Sequence, residues 1–113
     1  MTEIWVSLTE NSHILTANGH AVGNTQVCAA VSALLYALAG YLKNAGRRVY
    51  RMEEMTLQPG KACIRCLGDG HVRAAYEMTA LGLLQIAKSY PESLSVHYLR
   101  ENNYYRGEKP EKL

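Results

Sequence analysis

The apolar segment at residues 27–42 (VCAAVSALLYALAGYL) places the strongest constraint on the fold of this chain. It predicts a helix whose side chains are apolar on nearly every side. Such a helix must be covered on more than one face, so we expect it to pack on a sheet and also against a second helix or another subunit. The segment is shorter than the roughly 20 residues needed to cross a bilayer and contains Ser32, which favours a buried helix in a soluble protein with no membrane partner.

Alternation of apolar and polar residues predicts strands on both sides of this helix. The predicted strands are residues 4–9, 13–18, 48–57, 61–67 and 94–98. Turn-forming residues separate the first two strands at 10–12 and the next two at 58–60, so each pair should form a hairpin. The apolar phase of the third strand changes at Glu53 and Glu54, which predicts a bulge there.

Two helices alternate with these strand pairs. The predicted helices are residues 25–44 and 71–90. Thr25 is able to cap the first helix, and Gly46 lies where a left-handed terminating residue is expected. The element order is therefore β-β-α-β-β-α-β, which predicts an α+β fold with a mostly antiparallel sheet and both helices packed on one face.

Length and composition limit the domain organisation and the partners. The chain has 113 residues and is 48% apolar, which suits one domain with a single core. We assign residues 1–100 to this domain and the charged residues 101–113 to a flexible tail. Twelve basic and ten acidic residues give a net charge of +2, with no basic stripe, so nucleic acid is not an expected partner. The start of the chain has no signal-peptide pattern and the three cysteines are an odd number, so we expect reduced thiols in the cytoplasm.

A histidine and a cysteine lie close together just before and within the first helix. Cys28 falls in the first turn, where unsatisfied amide donors and the positive end of the helix dipole favour a thiolate. His20 lies on the preceding loop, where Gly19 and Gly23 give the backbone freedom to fold back towards the thiol. The pair could then act as nucleophile and base of a cysteine hydrolase. The alternative is that Cys28 is a small core residue and His20 a solvated loop histidine.

The other two cysteines, Cys63 and Cys66, form a C-x-x-C motif that suggests a zinc or redox site. A second pair of ligands at a familiar spacing is missing. On a strand the two sulfurs point to opposite faces, with Cys66 inside beside Ala62 and Ile64, and Cys63 on the face of Arg65. We therefore expect no metal and no cofactor.

Residues 19–21 (Gly-His-Ala) and 27–32 (VCAAVS) resemble the Prp family of ribosomal-processing cysteine proteases. The likeness extends to the element order of about the first hundred residues and to the closing segment LGLLQIAKSYPESLSV. It implies a homodimeric endopeptidase that removes a short N-terminal extension from a protein of the large ribosomal subunit, or a phage enzyme that acts on a capsid or scaffold protein. Cys28 would be the nucleophile and His20 the base. The residues that would support substrate binding are Gly19, Ala21, Gly23 and Ser32.

Two departures from that family keep a second hypothesis open. The loop between His20 and Cys28 is shorter than the family's usual loop, and Thr25 stands where the family typically has an aspartate. A threonine supplies no charge to orient a histidine. The alternative function is a catalytically retired binding module on the same fold.

Overall fold

Six strands, two α-helices and one short 3-10 helix follow one another in the part of the chain that the structure, a computed structural model, describes, residues 1–20, 23–100 and the backbone of 103–106. They are β1 (Thr2–Leu8), β2 (Ser12–Asn18), α1 (Thr25–Asn44), η1 (Gly46–Arg48), β3 (Val49–Gln58), β4 (Lys61–Gly68), α2 (Gly70–Ser89), β5 (Leu94–Arg100) and β6 (Asn103–Arg106). From β1 to β5 the order of strands and α-helices confirms the predicted β-β-α-β-β-α-β. β6 was not predicted and falls within the segment assigned to a tail. The rest of that tail lies outside the described residues.

All six strands belong to one sheet, in the order β3-β4-β2-β1-β5-β6. Four neighbouring pairs are antiparallel, and the pair of β1 and β5 is parallel. The α+β class and the mostly antiparallel sheet are therefore confirmed. The register of β3 against β4 shifts between Met52 and Glu54, at the predicted bulge, and also between Val49 and Arg51.

Both helices pack on the inner face of the sheet and against each other. Alternate residues of the central strands, such as Ile4 and Ile64, are fully buried beneath them. The helices approach closely at Gly82, where an added Cβ would lie 3.1 Å from a methyl group of Leu34. The buried side chains of the first helix are Val27, Val31, Leu35, Leu38, Ala39 and Leu42. One core thus joins the sheet and both helices.

The first helix is longer than the apolar segment that predicts it. α1 has 20 residues and is, by length and composition, apolar enough to span a membrane, a property that core helices of soluble proteins share. Its outer face carries large exposed side chains, with Tyr36 62% and Tyr41 37% exposed. The second helix, one of the two covers that the sequence predicts, packs against α1. Part of α1 remains uncovered within the described residues.

The cap of α1 differs from the prediction. Asn24, and not Thr25, is the capping residue, because its side-chain oxygen accepts a hydrogen bond of 3.0 Å from the Val27 amide. Thr25 is instead the first helical residue. Gly46, with φ of 60°, adopts the predicted left-handed conformation just after the helix.

A fully buried histidine, His13, lies opposite Cys66 on the inner face, with its ring centroid 5.4 Å from that of Tyr76. Neither ring nitrogen makes a hydrogen bond of normal geometry to a described residue. Burial is the main cause of a lowered pKa for His13. The charge of Arg73 lowers the pKa further, while the Gly68 backbone and the Glu77 carboxylate oppose the shift.

We expect His13 to make the protein sensitive to mild acid. Above the ordinary pKa of 6.5 the ring is neutral in both the folded and the unfolded state. As the pH falls below that value the unfolded chain takes up a proton first, so the free energy of unfolding decreases by up to about 1.4 kcal/mol per pH unit. Urea denaturation at about pH 7.5 and about pH 5.5 should show this loss in the wild type and a smaller loss in His13→Leu. An equal decrease in the free energy of unfolding in both proteins would contradict the assignment of this acid sensitivity to His13.

Candidate active site

A cleft of about 320 Å³ opens between the first turns of α1 and the turn that joins β3 to β4. Its lining residues are Thr2, Ala17, Gly19, His20, Cys28, Val31, Ser32, Leu35, Tyr36, Leu57, Gln58, Pro59, Gly60, Lys61 and Ala62. The walls are largely apolar, and Lys61 is the one lining residue with a permanent charge. A cleft of this size and lining suits a short stretch of extended peptide.

Cys28 reaches this cleft from the first turn of α1, where it is half-buried. Its own amide donates to the carbonyl of Asn24 at 3.3 Å, and the Val27 amide donates to the Asn24 side chain. Asn24 therefore fixes the start of the helix on which the thiol is carried. No disulfide involves this cysteine.

His20 reaches the same cleft from the loop that follows β2. Two neighbours anchor the backbone of this loop at Gly19, whose N–H donates to the Gly60 carbonyl at 2.9 Å and whose carbonyl accepts from the Thr2 hydroxyl at 3.4 Å. Gly19 has φ of 91°, and a Cβ added there would overlap the carbonyl oxygen of Met1. A side chain at this position would therefore disturb the placement of His20.

Only some of the residues predicted to support substrate binding lie at the cleft. Gly19 and Ser32 line the cleft. Gly23 has φ of 78° in open space and is not among the lining residues. Ala21 lies outside the described residues. Thr25, at the position of the family's usual aspartate, is exposed and also absent from the lining.

Several lining residues were missed by the sequence analysis. Leu35 and Tyr36 lie about three turns into α1, and Pro59, Gly60 and Lys61 come from the β3–β4 turn and the start of β4. The sequence predicts that turn but contains no signal that it meets the histidine loop, since about forty residues separate the two.

The two remaining cysteines lie on opposite faces of β4, as predicted. Cys66 is fully buried, with its sulfur 3.6 Å from the Tyr76 hydroxyl, and Cys63 is half-buried on the outer face. Burial raises the pKa of both thiols, and the Glu54 carboxylate raises the pKa of Cys63 further. Within the described residues, no three His, Cys, Asp or Glu side chains are grouped to hold a metal ion.

We expect limiting iodoacetamide near neutral pH to alkylate Cys28 before the other cysteines. The raised pKa values of Cys63 and Cys66 reduce their thiolate fractions, and Cys66 is closed to solvent. Peptide mapping by mass spectrometry should show Cys28 modified at least about tenfold faster than Cys63. Modification of Cys63 at an equal rate would contradict this reading of the site.

Comparisons with known proteins find similarity in both sequence and fold. A sequence model of the family described as "Cysteine protease Prp" matches residues 1–95. Two crystal structures of the essential ribosomal processing protease Prp from S. aureus are similar to this chain, each at 19% sequence identity. The TM-score is 0.73 for its complex with a substrate peptide and 0.72 for its complex with a covalently linked product peptide. Each match covers 87% of this chain and 99% of the other. SMU.848 from Streptococcus mutans is similar at 21% identity and a TM-score of 0.67, covering 89% of this chain and 96% of that one.

The structural likenesses, at these low identities, establish the fold. No curated protein matches the sequence. The family match spans most of the chain, including His20, Cys28 and every strand of the sheet up to the start of β5. The chain therefore belongs to the Prp family of cysteine proteases.

Proposed function

We propose that this protein is a cytoplasmic endopeptidase that removes a short N-terminal extension from a protein of the large ribosomal subunit, using Cys28 as nucleophile and His20 as base. The observation that carries the proposal is that both side chains line one cleft, each from a separately anchored element. The solved relative from S. aureus is a ribosomal processing protease crystallised with a substrate peptide. That relationship supports a peptide substrate here.

The proposed reaction proceeds through a thioester. His20 accepts the thiol proton, and the sulfur of Cys28 attacks the scissile carbonyl carbon to form a tetrahedral oxyanion. The C–N bond then breaks as the imidazolium donates its proton to the leaving amine, which releases the C-terminal product. A water molecule, deprotonated by His20, then attacks the carbonyl carbon of the thioester. The C–S bond breaks, the imidazolium returns the proton to the Cys28 sulfur, and the N-terminal fragment leaves with a free carboxylate.

The oxyanion would be held by backbone amides near the start of α1. We propose the amides of Thr25 and Gln26 as the donors to the oxyanion, because the amides of Val27 and Cys28 already donate to Asn24. The first two helical residues, Thr25 and Gln26, precede those bonds. In this proposal Thr25 contributes through its backbone amide and not through its side chain.

The test is incubation of the protein with the extended ribosomal protein of its host, followed by mass spectrometry of the substrate. Loss of a defined N-terminal fragment would support the proposal. Cleavage of a phage capsid or scaffold protein in place of the ribosomal protein would support the protease activity and contradict the proposed ribosomal substrate. Binding of either protein without cleavage would favour the alternative of a retired binding module.

We also propose that the protein is a homodimer formed through the outer face of α1. That face is exposed in the single chain and includes Ala29, Ala33 and Ala37, spaced at four-residue intervals, beside Tyr36. Tyr36 also lines the cleft, so a second copy packed here would lie next to the substrate. The small alanine side chains would allow two helices to approach closely.

Substitution of this face should convert the dimer to a monomer. Ala33→Arg places a long charged side chain in the proposed contact while preserving helix propensity. Ala74→Arg, on the exposed surface of α2, is the matched control. Sedimentation equilibrium should show a monomer for Ala33→Arg alone. A wild-type monomer, or an Ala33→Arg dimer of unchanged affinity, would contradict the proposed interface.

A further inference from the structure

The ring of His20 lies directly against the backbone of Gly60. A Cβ added to Gly60 would overlap Nε2 of the imidazole and would lie 2.9 Å from Cε1 and 3.1 Å from Cδ2. Real Cβ atoms essentially never approach another heavy atom as closely as the first two of these separations. The ring therefore occupies the space that any side chain at position 60 would need.

The backbone holds Gly60 in a fixed place relative to the histidine loop. Gln58 pairs with Lys61 across the β3–β4 hairpin, so Pro59 and Gly60 are the two central residues of its turn. Gly60 has φ of 74°, as at the third position of a type II turn, where glycine is favoured. Its carbonyl also accepts the hydrogen bond from the Gly19 amide at 2.9 Å. The residue before His20 is thus bonded to the residue on which the His20 ring rests.

The turn conformation by itself explains the absence of a side chain, but the ring contact adds a separate reason. Gly46 shows the difference, since its φ is 60° and an added Cβ would meet no atom within 4 Å. A side chain at Gly46 would strain only the backbone. A side chain at Gly60 would strain the backbone and would also displace the His20 imidazole.

We infer that Gly60 is a positioning residue for His20: the bare backbone of the β3–β4 turn is the surface that sets where the imidazole stands in the cleft. This inference rests on the proposed role of His20 as base. Because proton transfer depends on the position of the ring relative to the thiol, a displaced ring slows the chemical step. The contact thereby couples the β3–β4 turn, some forty residues away in sequence, to catalysis.

The experiment compares Gly60→Ala with Gly46→Ala. Both introduce a Cβ at a positive φ, so both should lose thermal stability. Only Gly60→Ala should lower kcat, by roughly 10- to 100-fold at saturating substrate, while Gly46→Ala keeps the wild-type kcat. Equal kcat values in the two variants would overturn the inference.

A second readout separates this inference from the proposed function. The imidazole signals of His20, assigned by comparison with His20→Gln, can be followed by NMR without any substrate. They should shift in Gly60→Ala and stay unchanged in Gly46→Ala, and unchanged signals in both variants would overturn the inference even if the protease is active. A wild type that cleaves nothing would count against the proposed function. The His20 ring signals would still show whether Gly60 sets the position of the imidazole. If Gly60→Ala fails to fold, Gly60→Asn serves in its place, because asparagine tolerates a positive φ and still carries the Cβ.

Discussion

Replacing Cys28 with alanine is expected to lower kcat/KM for the extended substrate by at least about 10⁴-fold. The substitution removes the sulfur that would attack the scissile carbonyl, and no neighbouring side chain in the cleft can take its place as a thiolate. Little change in the fold is expected, because Cys28 is only half-buried and alanine suits a helix. The measurement is the initial rate of fragment release, followed by mass spectrometry.

Cys63→Ala is the matched control for this prediction. Cys63 is also half-buried but lies on the outer face of β4, and it is not among the residues that line the cleft. It should retain the wild-type rate. Loss of activity in Cys63→Ala together with full activity in Cys28→Ala would move the chemistry to the C-x-x-C motif and contradict the account.

Replacing His20 with glutamine should have the second largest effect, a fall in kcat of roughly 10²- to 10⁴-fold. Glutamine keeps a polar side chain at the position but cannot accept the thiol proton and return it to the leaving amine. Because substrate binding uses the other walls of the cleft, KM should change much less than kcat. Steady-state kinetics at saturating substrate will separate the two parameters.

His71→Gln provides the corresponding control for the histidine. His71 lies at the start of α2, its side chain is 68% exposed, and it does not line the cleft. The control should match the wild type in both kcat and KM. A fall of less than about threefold for His20→Gln would exclude His20 as the base, because general acid and base catalysis contributes far more than that.

The elements of the fold were predictable wherever one face of an element is buried. β1, β2 and β4 alternate strictly between inward and outward residues, so their positions follow from sequence periodicity alone. The same alternation predicted that Cys63 and Cys66 face opposite sides. The change of phase at Glu53 and Glu54 likewise predicted the bulge in β3.

Long-range pairing was not predictable in the same way. The parallel contact between β1 and β5 pairs the first predicted strand with the last, and no local pattern encodes this choice of neighbour. The cap of α1 was wrongly assigned for a local reason. Asn24 and Thr25 can both cap a helix, and which of them leaves the helical conformation depends on the preceding loop.

The residues of the candidate site also differ in how far the sequence predicts them. His20 and Cys28 are close in sequence, and their residue types and neighbours are enough to suggest a catalytic pair. Gly60 and Lys61 enter the cleft only because β3 and β4 fold back beside the histidine loop. Their contribution is a property of the tertiary structure, since the Pro-Gly turn that contains Gly60 needs glycine for its backbone conformation in any case.

The most direct test of the central claim is detection of the thioester on Cys28. The protein is mixed with the extended substrate, quenched rapidly in acid, and examined by intact-protein mass spectrometry and peptide mapping. We expect a mass increase equal to the N-terminal fragment, located on the peptide that contains Cys28 and absent from Cys28→Ala. Cleavage that proceeds at the same rate in Cys28→Ala, with no adduct on Cys28 in the wild type, would contradict the proposed role of Cys28.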